Sequence, residues 1–392
     1  MLKILVLSNA ISGVYNLRKE FIDRLLVEGH EVAISTPGGV ESSYFTRKGC
    51  RFIETPVSRR GTNIITDMKL LKQYRDIMKR ERPDVVLTYT IKSNIYGGIA
   101  ARLMGIPYMA SITGLGSAVE NGGILQKITL PLYRNALSRV SCVFFQNEDN
   151  LAFFQEKDLL SSPYRLVPGS GVNLDDFSPM AYPEGGPYQF LFIGRLIREK
   201  GVEEYFNAAE YIHAKYPDTM FHVLGPPDHR FGDRLGELEA QGVVKYHGYT
   251  QDMNAFYKIA HCIVHPTYYP EGMSNVLLES AACGRPVITT NRSGCREIVE
   301  EGRNGFFVEK ANTADLIAKI ESFIALPPEK KKAMGLAGRK LVEERFDRRI
   351  VVSSYLEEIR EVEREIRQEQ AAREEQVIIY HMHRSRMRRS GF

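Results

Sequence analysis

The chain has 392 residues, 43% of them hydrophobic and 26% charged, with a formal net charge of +4. That length suits two domains of ordinary size. The composition is that of a water-soluble globular protein, and no apolar run is long enough to span a bilayer. The five cysteines, at 50, 142, 262, 283 and 295, are dispersed without any C-x-x-C spacing, which argues for a reducing compartment and against a structural zinc site.

Met1 to Ser8 is too short an apolar stretch for a signal peptide and reads as a first buried strand. From there short apolar strands alternate with helical stretches. Strands are expected near 3–8, 31–36, 84–88, 107–112, 141–146 and 164–167, and again near 188–194, 219–224, 243–247, 262–265, 286–290 and 305–308. Between the two series lies Asp175 to Pro187, with three prolines, two glycines and no periodicity, a linker by composition. The alternation predicts an α/β protein of two doubly wound parallel-sheet domains. They span 1–175 and 188–347, with a helix from 348 to about 370 and a basic tail over 371–392, either disordered or directed to lipid.

The most informative stretch is Glu271-Gly-Met-Ser-Asn-Val-Leu-Leu-Glu279. Ser274 or Asn275 is suited to start a helix, which puts Glu271 in the preceding loop and Glu279 about one turn inside. The free amides of such a helix start attract phosphate, while the two carboxylates suit neutral hydroxyls beside it. A molecule with hydroxyls on both sides of a diphosphate is a nucleotide sugar. The competing reading is of two solvated acids near a helix N-terminus. Val264-His-Pro-Thr before this stretch and Gly284-Arg-Pro-Val287 after it complete a strand, loop, helix, strand unit. The loop opens at the strand's carboxyl end, where open α/β sheets bind ligands.

The run from Glu271 through Gly284-Arg-Pro-Val287 to Gly294-Cys-Arg-Glu-Ile-Val299 and Gly302-Arg-Asn-Gly305 resembles the carboxyl half of retaining glycosyltransferases of family 4, and Gly194-Arg-Leu-Ile-Arg-Glu-Lys-Gly201 matches their upstream basic motif. In the amino half, Val14-Tyr-Asn-Leu-Arg18, Thr88-Tyr-Thr-Ile-Lys-Ser-Asn94 and Ile112-Thr-Gly-Leu-Gly116 resemble the bacterial branch that builds surface polysaccharides and lipid-linked oligosaccharides. The resemblance implies the GT-B fold, two Rossmann-like domains facing across a cleft, with the last helix crossing back onto the first. It gives Arg195 and Lys200 a place on the donor diphosphate, Glu279 the ribose hydroxyls and Glu271 the transferred sugar. Amides of Gly272, Met273, Ser274 and Asn275 would hold sugar and phosphate, and Tyr249, after Gly248, would stack on the base. Gly13 is either a diphosphate approach point or a turn glycine. Asn16, Arg18, Lys92 and Thr113 are the acceptor-side candidates, although Arg18 could instead pair with Glu20 or Asp23 and Lys92 could be a solvated loop cation.

No D-x-D occurs, so no metal and no other cofactor is expected; a basic pair and a helix dipole would meet the diphosphate instead. A dinucleotide fingerprint at Gly114-Leu-Gly116 fails, because Val119 stands at its third glycine position, Glu120-Asn-Gly-Gly123 breaks the expected helix and no acid follows at the required distance. A nucleotide-sugar 2-epimerase of the same fold and a non-catalytic nucleotide-sugar-binding protein remain as alternatives. Lysine and arginine exceed acids over 1–175, whereas acids slightly exceed them over 176–392. A basic first domain suits an anionic acceptor or membrane surface. The stretches 64–82 and 124–137 are apolar on one side and basic elsewhere, which fits either sheet packing or membrane contact. The expected partners are a UDP-linked sugar donor, an N-acetylhexosamine among the candidates, a polyprenyl-diphosphate-linked saccharide acceptor and the cytoplasmic face of a membrane. Nothing points to nucleic acid.

Overall fold

A computed structural model describes all residues except 59–62, 117–118, 120–121, 227, 229, 251 and 390–392, and describes 373 and 377–389 by their backbone alone. Two wholly parallel sheets organise the chain. The first takes β1 (Lys3–Leu7), β2 (Glu31–Thr36), β3 (Arg51–Glu54), β4 (Val85–Tyr89), β5 (Tyr108–Ile112), β6 (Cys142–Phe145) and β7 (Tyr164–Leu166), in the order β3-β2-β1-β4-β5-β6-β7. The second takes β8 (Tyr188–Ile193), β9 (Thr219–Leu224), β10 (Val244–Tyr246), β11 (Cys262–His265), β12 (Val287–Thr290) and β13 (Gly305–Val308), in the order β10-β9-β8-β11-β12-β13. This is the GT-B arrangement of two Rossmann-like domains across a cleft. Central strands such as β4 and β5 are buried at every position, because helices cover both faces of a parallel sheet.

Strand order reverses between β1 and β4 in the first sheet and between β8 and β11 in the second. Open α/β sheets form their ligand crevices outside the carboxyl ends of strands at such switch points. The register fixes which loops meet there: Leu7 pairs with Thr88, and Ile263 with Leu191.

One strand, β3, was absent from the expected series. Its sequence, Arg-Phe-Ile-Glu, is short, polar at both ends and only half-buried at its centre, as an edge strand allows. The final helix also differs, running as Arg348–Arg389 rather than ending near 370. Neither proline nor glycine occurs before Gly391, so no backbone signal stops it. Its first turns cross back onto the first domain, where Val351, Tyr355, Leu356, Ile359 and Val362 join the core around Val6, Phe21 and Phe144. Tyr355 stacks on Phe144 with centroids 3.9 Å apart, and its hydroxyl lies 2.7 Å from Ser111 Oγ. The ion pair of Arg165 with Glu358 at 2.5 Å closes that joint. Among the described residues no helix is long and apolar enough to cross a membrane.

The candidate active site between the two sheets

The switch point of the second sheet delivers two charged loops to the cleft. After β8 the chain passes through Gly194 and Arg195 into a single turn, Arg198–Lys200, and then into the helix Val202–Lys215. Gly201 makes that path possible: its φ is +73°, and a Cβ there would lie 2.3 Å from the carbonyl oxygen of Pro266 in the loop after β11. The two loops therefore press together, and Lys200 Nζ contacts Glu271 Oε1. The side chains are 12% and 16% exposed, so this pair is largely out of water. Burial pulls the Lys200 ammonium down to about 8, and Arg195 and Arg292 push in the same direction. The carboxylate in contact favours the charged form. The Arg195 guanidinium and the Lys200 ammonium lie 5.1 and 5.4 Å from the centroid of one ring, Tyr269, whose π face offsets their mutual repulsion.

The helix after β11 runs Asn275–Ala282 with Ser274 in extended conformation at its start, so Glu279 lies one turn and a residue inside. Its Oε2 accepts from the Tyr257 hydroxyl at 2.9 Å. Burial raises the Glu279 carboxyl to about 7, against that hydrogen bond and the positive charge of Arg348. Of the amides expected to face a ligand, Gly272 N donates to Thr113 O at 3.1 Å and Ser274 N to Gly294 O at 2.7 Å. The Ser274 hydroxyl oxygen is buried and has no hydrogen-bond partner among the described residues. Beneath the pair, His265 is fully buried, and burial with Lys200 nearby holds its imidazole neutral, well below the usual range. Gly248, with φ of +66°, leads into Tyr249, which is exposed at the rim of the second domain.

The first domain contributes the facing wall. Thr113 follows β5 and meets the Glu271 loop through its carbonyl. Gly13 lies in the first turn of the helix Ile11–Val27, where a Cβ would meet nothing within 4 Å. Asn16, on the same helix, is exposed, and its carbonyl accepts from Arg348 at 2.9 Å. Arg18 is placed differently: it is buried, with its guanidinium 4.9 Å from the ring centroid of Tyr89 and 5.6 Å from that of Tyr355. Neither suggested acid is its partner, since Glu20 binds Arg348 and Asp23 binds Lys48 and Tyr44. Lys92 is held in the first domain by Asp67 at 2.6 Å, and Asp67 also accepts from Tyr96. The structure thus brings Lys200, Arg195, Glu271 and the Thr113 backbone to one place, while it engages Arg18 and Lys92 elsewhere.

Sequence reasoning passed over Tyr269, Arg292, His265 and Asn147. His265 sits in Val264-His-Pro-Thr and Tyr269 just before Glu271, where aromatic residues read equally as core. Asn147 carried a usable signal, an asparagine directly before the acid-rich start of the helix Glu148–Glu156. Two hollows of about 530 Å³ open elsewhere, one beside Arg348 and Asp347 and the other beside Tyr268 and Lys310. Neither is lined by Lys200, Glu271 or Glu279. Among the described residues no group of three or more His, Cys, Asp or Glu could hold a metal ion.

Comparison with known proteins gives the same frame. Residues 179–341 match the family described as Glycosyl transferases group 1, and residues 3–147 match the Glycosyl transferase 4-like family. The chain is a GT-B-fold glycosyltransferase related to these families. It is similar to the N,N'-diacetylbacillosaminyl-diphospho-undecaprenol alpha-1,3-N-acetylgalactosaminyltransferase of Campylobacter jejuni, 25% identical over 89% of this chain and 96% of that protein. It is also similar to the UDP-Gal:alpha-D-GlcNAc-diphosphoundecaprenol alpha-1,3-galactosyltransferase of Escherichia coli, 25% identical over 80% of this chain and 83% of that protein. Among solved structures, Anabaena Alr3699/HepE in complex with UDP and glucose superposes with a TM-score of 0.74 at 17% identity, covering 92% of this chain and 99% of that one. At that identity the likeness concerns this glycosyltransferase's fold.

Proposed function

We propose that this protein is a retaining hexosyltransferase that moves a sugar from a UDP-linked donor, an N-acetylhexosamine among the candidates, to a polyprenyl-diphosphate-linked saccharide in surface-polysaccharide or glycan biosynthesis. The observation that carries the reading is the buried Lys200–Glu271 pair, with Arg195 over the shared Tyr269 ring, at the switch point of the second sheet and facing Thr113. Arg195 and Lys200 meet the diphosphate and stabilise the charge that gathers on it as the bond from its oxygen to the anomeric carbon breaks. The acceptor hydroxyl attacks from the same face, and its proton passes to the departing phosphate, so configuration is kept. Glu271 holds hydroxyls of the transferred sugar, Glu279 accepts from the ribose hydroxyls and Tyr249 stacks on the base.

Of the run Gly272 to Asn275, the Met273 and Asn275 amides serve the ligand, because those of Gly272 and Ser274 are engaged within the protein. Gly13 and the first-turn amides beside it approach the diphosphate from the opposite wall. On the acceptor side, Asn16 and Thr113 are the stronger choices, with Arg18 and Lys92 acting through the walls they brace. The acceptor class rests on the two relatives described above, matched over 89% and 80% of this chain, both transferases to diphospho-undecaprenol sugars. Exposed Ile64, Ile65, Met68, Ile124 and Ile128 at the starts of two first-domain helices, near exposed Lys69, Lys72 and Lys127, support peripheral attachment to the inner face of the cell membrane.

The test is incubation of the purified protein with UDP-, GDP- and ADP-sugars, with and without polyprenyl-diphosphate saccharides, reading products by mass spectrometry. A lipid-linked product extended by one sugar from a UDP donor is expected. Conversion of the donor sugar without an acceptor would favour an epimerase, and binding without any product would favour a binding protein.

A further inference from the structure

At the contact between the two domains one side chain does two jobs. Asn147 is 3% exposed and stands at the start of the helix Glu148–Glu156. Its Oδ1 accepts from Asn150 N at 2.8 Å, which caps that helix. Its Nδ2 reaches across to the second domain and donates to Gly272 O at 2.5 Å and Glu271 O at 3.3 Å. The orientation of the amide is unambiguous, because a backbone N–H demands an acceptor on one side and two carbonyls demand a donor on the other.

The surroundings leave this loop little freedom. Gly272 N donates back to Thr113 O at 3.1 Å. A Cβ on Gly272 would lie 2.1 Å from Gln146 Oε1, and one on Gly114 would lie 2.9 Å from Pro270 O. The Glu271 loop is therefore seated against the first domain at backbone distance, with Asn147 supplying the side-chain donor.

We propose that Asn147 is a positioning residue: it latches the carbonyls of Glu271 and Gly272 to the first domain and so fixes the Glu271 carboxylate and the Lys200 ammonium relative to the acceptor wall. This rests on the function proposed above. Losing the latch lets the loop shift, and misplacements of about 1 Å cost reactions on the order of 100-fold.

Asn147→Asp separates the two jobs. Asp caps a helix as well as Asn does, but its ionised carboxylate would face two carbonyl oxygens without a proton to offer. When protonated it can donate to one of them, and burial against carbonyls raises the pKa of the introduced carboxyl. The expected result is that Asn147→Asp transfers at least tenfold more slowly than wild type at pH 8, and that the variant-to-wild-type ratio of kcat recovers toward one as the pH falls to 6. Donor KM should move little. Asn147→Ser, which caps but is too short to reach, should be slow at every pH. Hydrogen exchange supplies a readout independent of transfer: in Asn147→Asp at pH 8, amides of 270–275 should lose protection while those of 150–156 keep theirs. A ratio that does not change with pH, or unchanged protection over 270–275, would overturn the latch. If wild type transfers nothing to any acceptor, the functional reading fails while exchange still decides the latch.

Discussion

Lys200 and Glu271 touch across two loops, one from the end of β8 and the other from the end of β11, and each is mostly hidden from water. A buried pair of this kind is poor evidence of stability, since desolvation consumes much of its attraction. Its position at the switch point supports the proposed function, in which a diphosphate enters this charge arrangement.

The first prediction concerns Lys200. Burial lowers its ammonium to about 8, below the ordinary lysine value of 10.5. Transfer requires the charged form, so donor kcat/KM should fall as pH rises above about 8 in the free enzyme. Lys200→Arg should flatten that limb, and Lys200→Ala should lower kcat at least tenfold, since a charge-assisted hydrogen bond contributes roughly 1.5–3 kcal/mol. The folded state binds this proton less tightly than the unfolded chain, so stability should rise with pH between about 8 and 10.5. Steady-state pH profiles and thermal melts across that window check both halves; a profile identical in wild type and Lys200→Arg would remove Lys200 from the diphosphate.

Glu279 has the opposite sign. Burial raises its carboxyl to about 7 from an ordinary 4.5, so at neutral pH it is divided between two forms. In the proposed ribose contact only the ionised form would accept from two hydroxyls, so donor affinity should increase as pH rises through about 7. The folded state holds this proton more tightly than the unfolded chain, and stability from this group is present below 4.5 and lost as pH rises to about 7. Glu279→Gln should weaken donor binding about tenfold or more, remove the pH dependence near 7 and raise the melting temperature at pH 8. Calorimetric titration with donor and with UDP, beside melts, measures the trade; unchanged affinity would defeat the ribose assignment.

How far the sequence foretold this site depends on what each residue's signal consisted of. The Glu271–Glu279 spacing was legible because a capping residue and an apolar run fix a helix start, and the helix begins at Asn275. Strand alternation placed twelve of the thirteen strands among the described residues, and β3 escaped because an edge strand needs little apolar sequence. The partners of charged groups were not legible. Arg18 lies between Tyr89 and Tyr355, residues 71 and 337 positions away, and nothing local announces such a cage. Asn147 could be read as a cap from its neighbours, but its reach to Gly272 exists only once two domains have docked.

Metal dependence is the third prediction. Among the described residues no group of three or more His, Cys, Asp or Glu could carry a divalent ion, while Arg195 and Lys200 stand together over one ring, where the proposed function puts the diphosphate. Transfer should persist after exhaustive EDTA treatment, with at most a mild stimulation by added magnesium through screening. Complete loss that manganese or magnesium restores would show that the cation at the diphosphate is a metal.

The last prediction concerns the membrane face. In the helix Ile64–Glu81 the apolar residues divide: Leu70, Tyr74, Ile77 and Met78 pack into the first-domain core, whereas Ile64, Ile65 and Met68 in the first turns are exposed. The helix Gly123–Leu137 repeats the pattern, burying Tyr133 and Leu137 while exposing Ile124 and Ile128. Exposed single apolar residues are ordinary, but two helix starts with the same division, each near exposed lysines, fit shallow insertion beside anionic headgroups. Vesicle flotation should therefore be strong on anionic lipid at low salt. It should weaken at high salt, because surface charge is screened beyond about 8 Å at physiological ionic strength. Ile65→Glu combined with Ile124→Glu should abolish flotation and slow transfer to a lipid-linked acceptor several-fold, while leaving donor affinity and the melting temperature unchanged, since neither side chain is in the core. Equal flotation of wild type and the double variant would move the membrane contact to another surface, and no flotation at all, with equal transfer to a free sugar, would make the acceptor a soluble one.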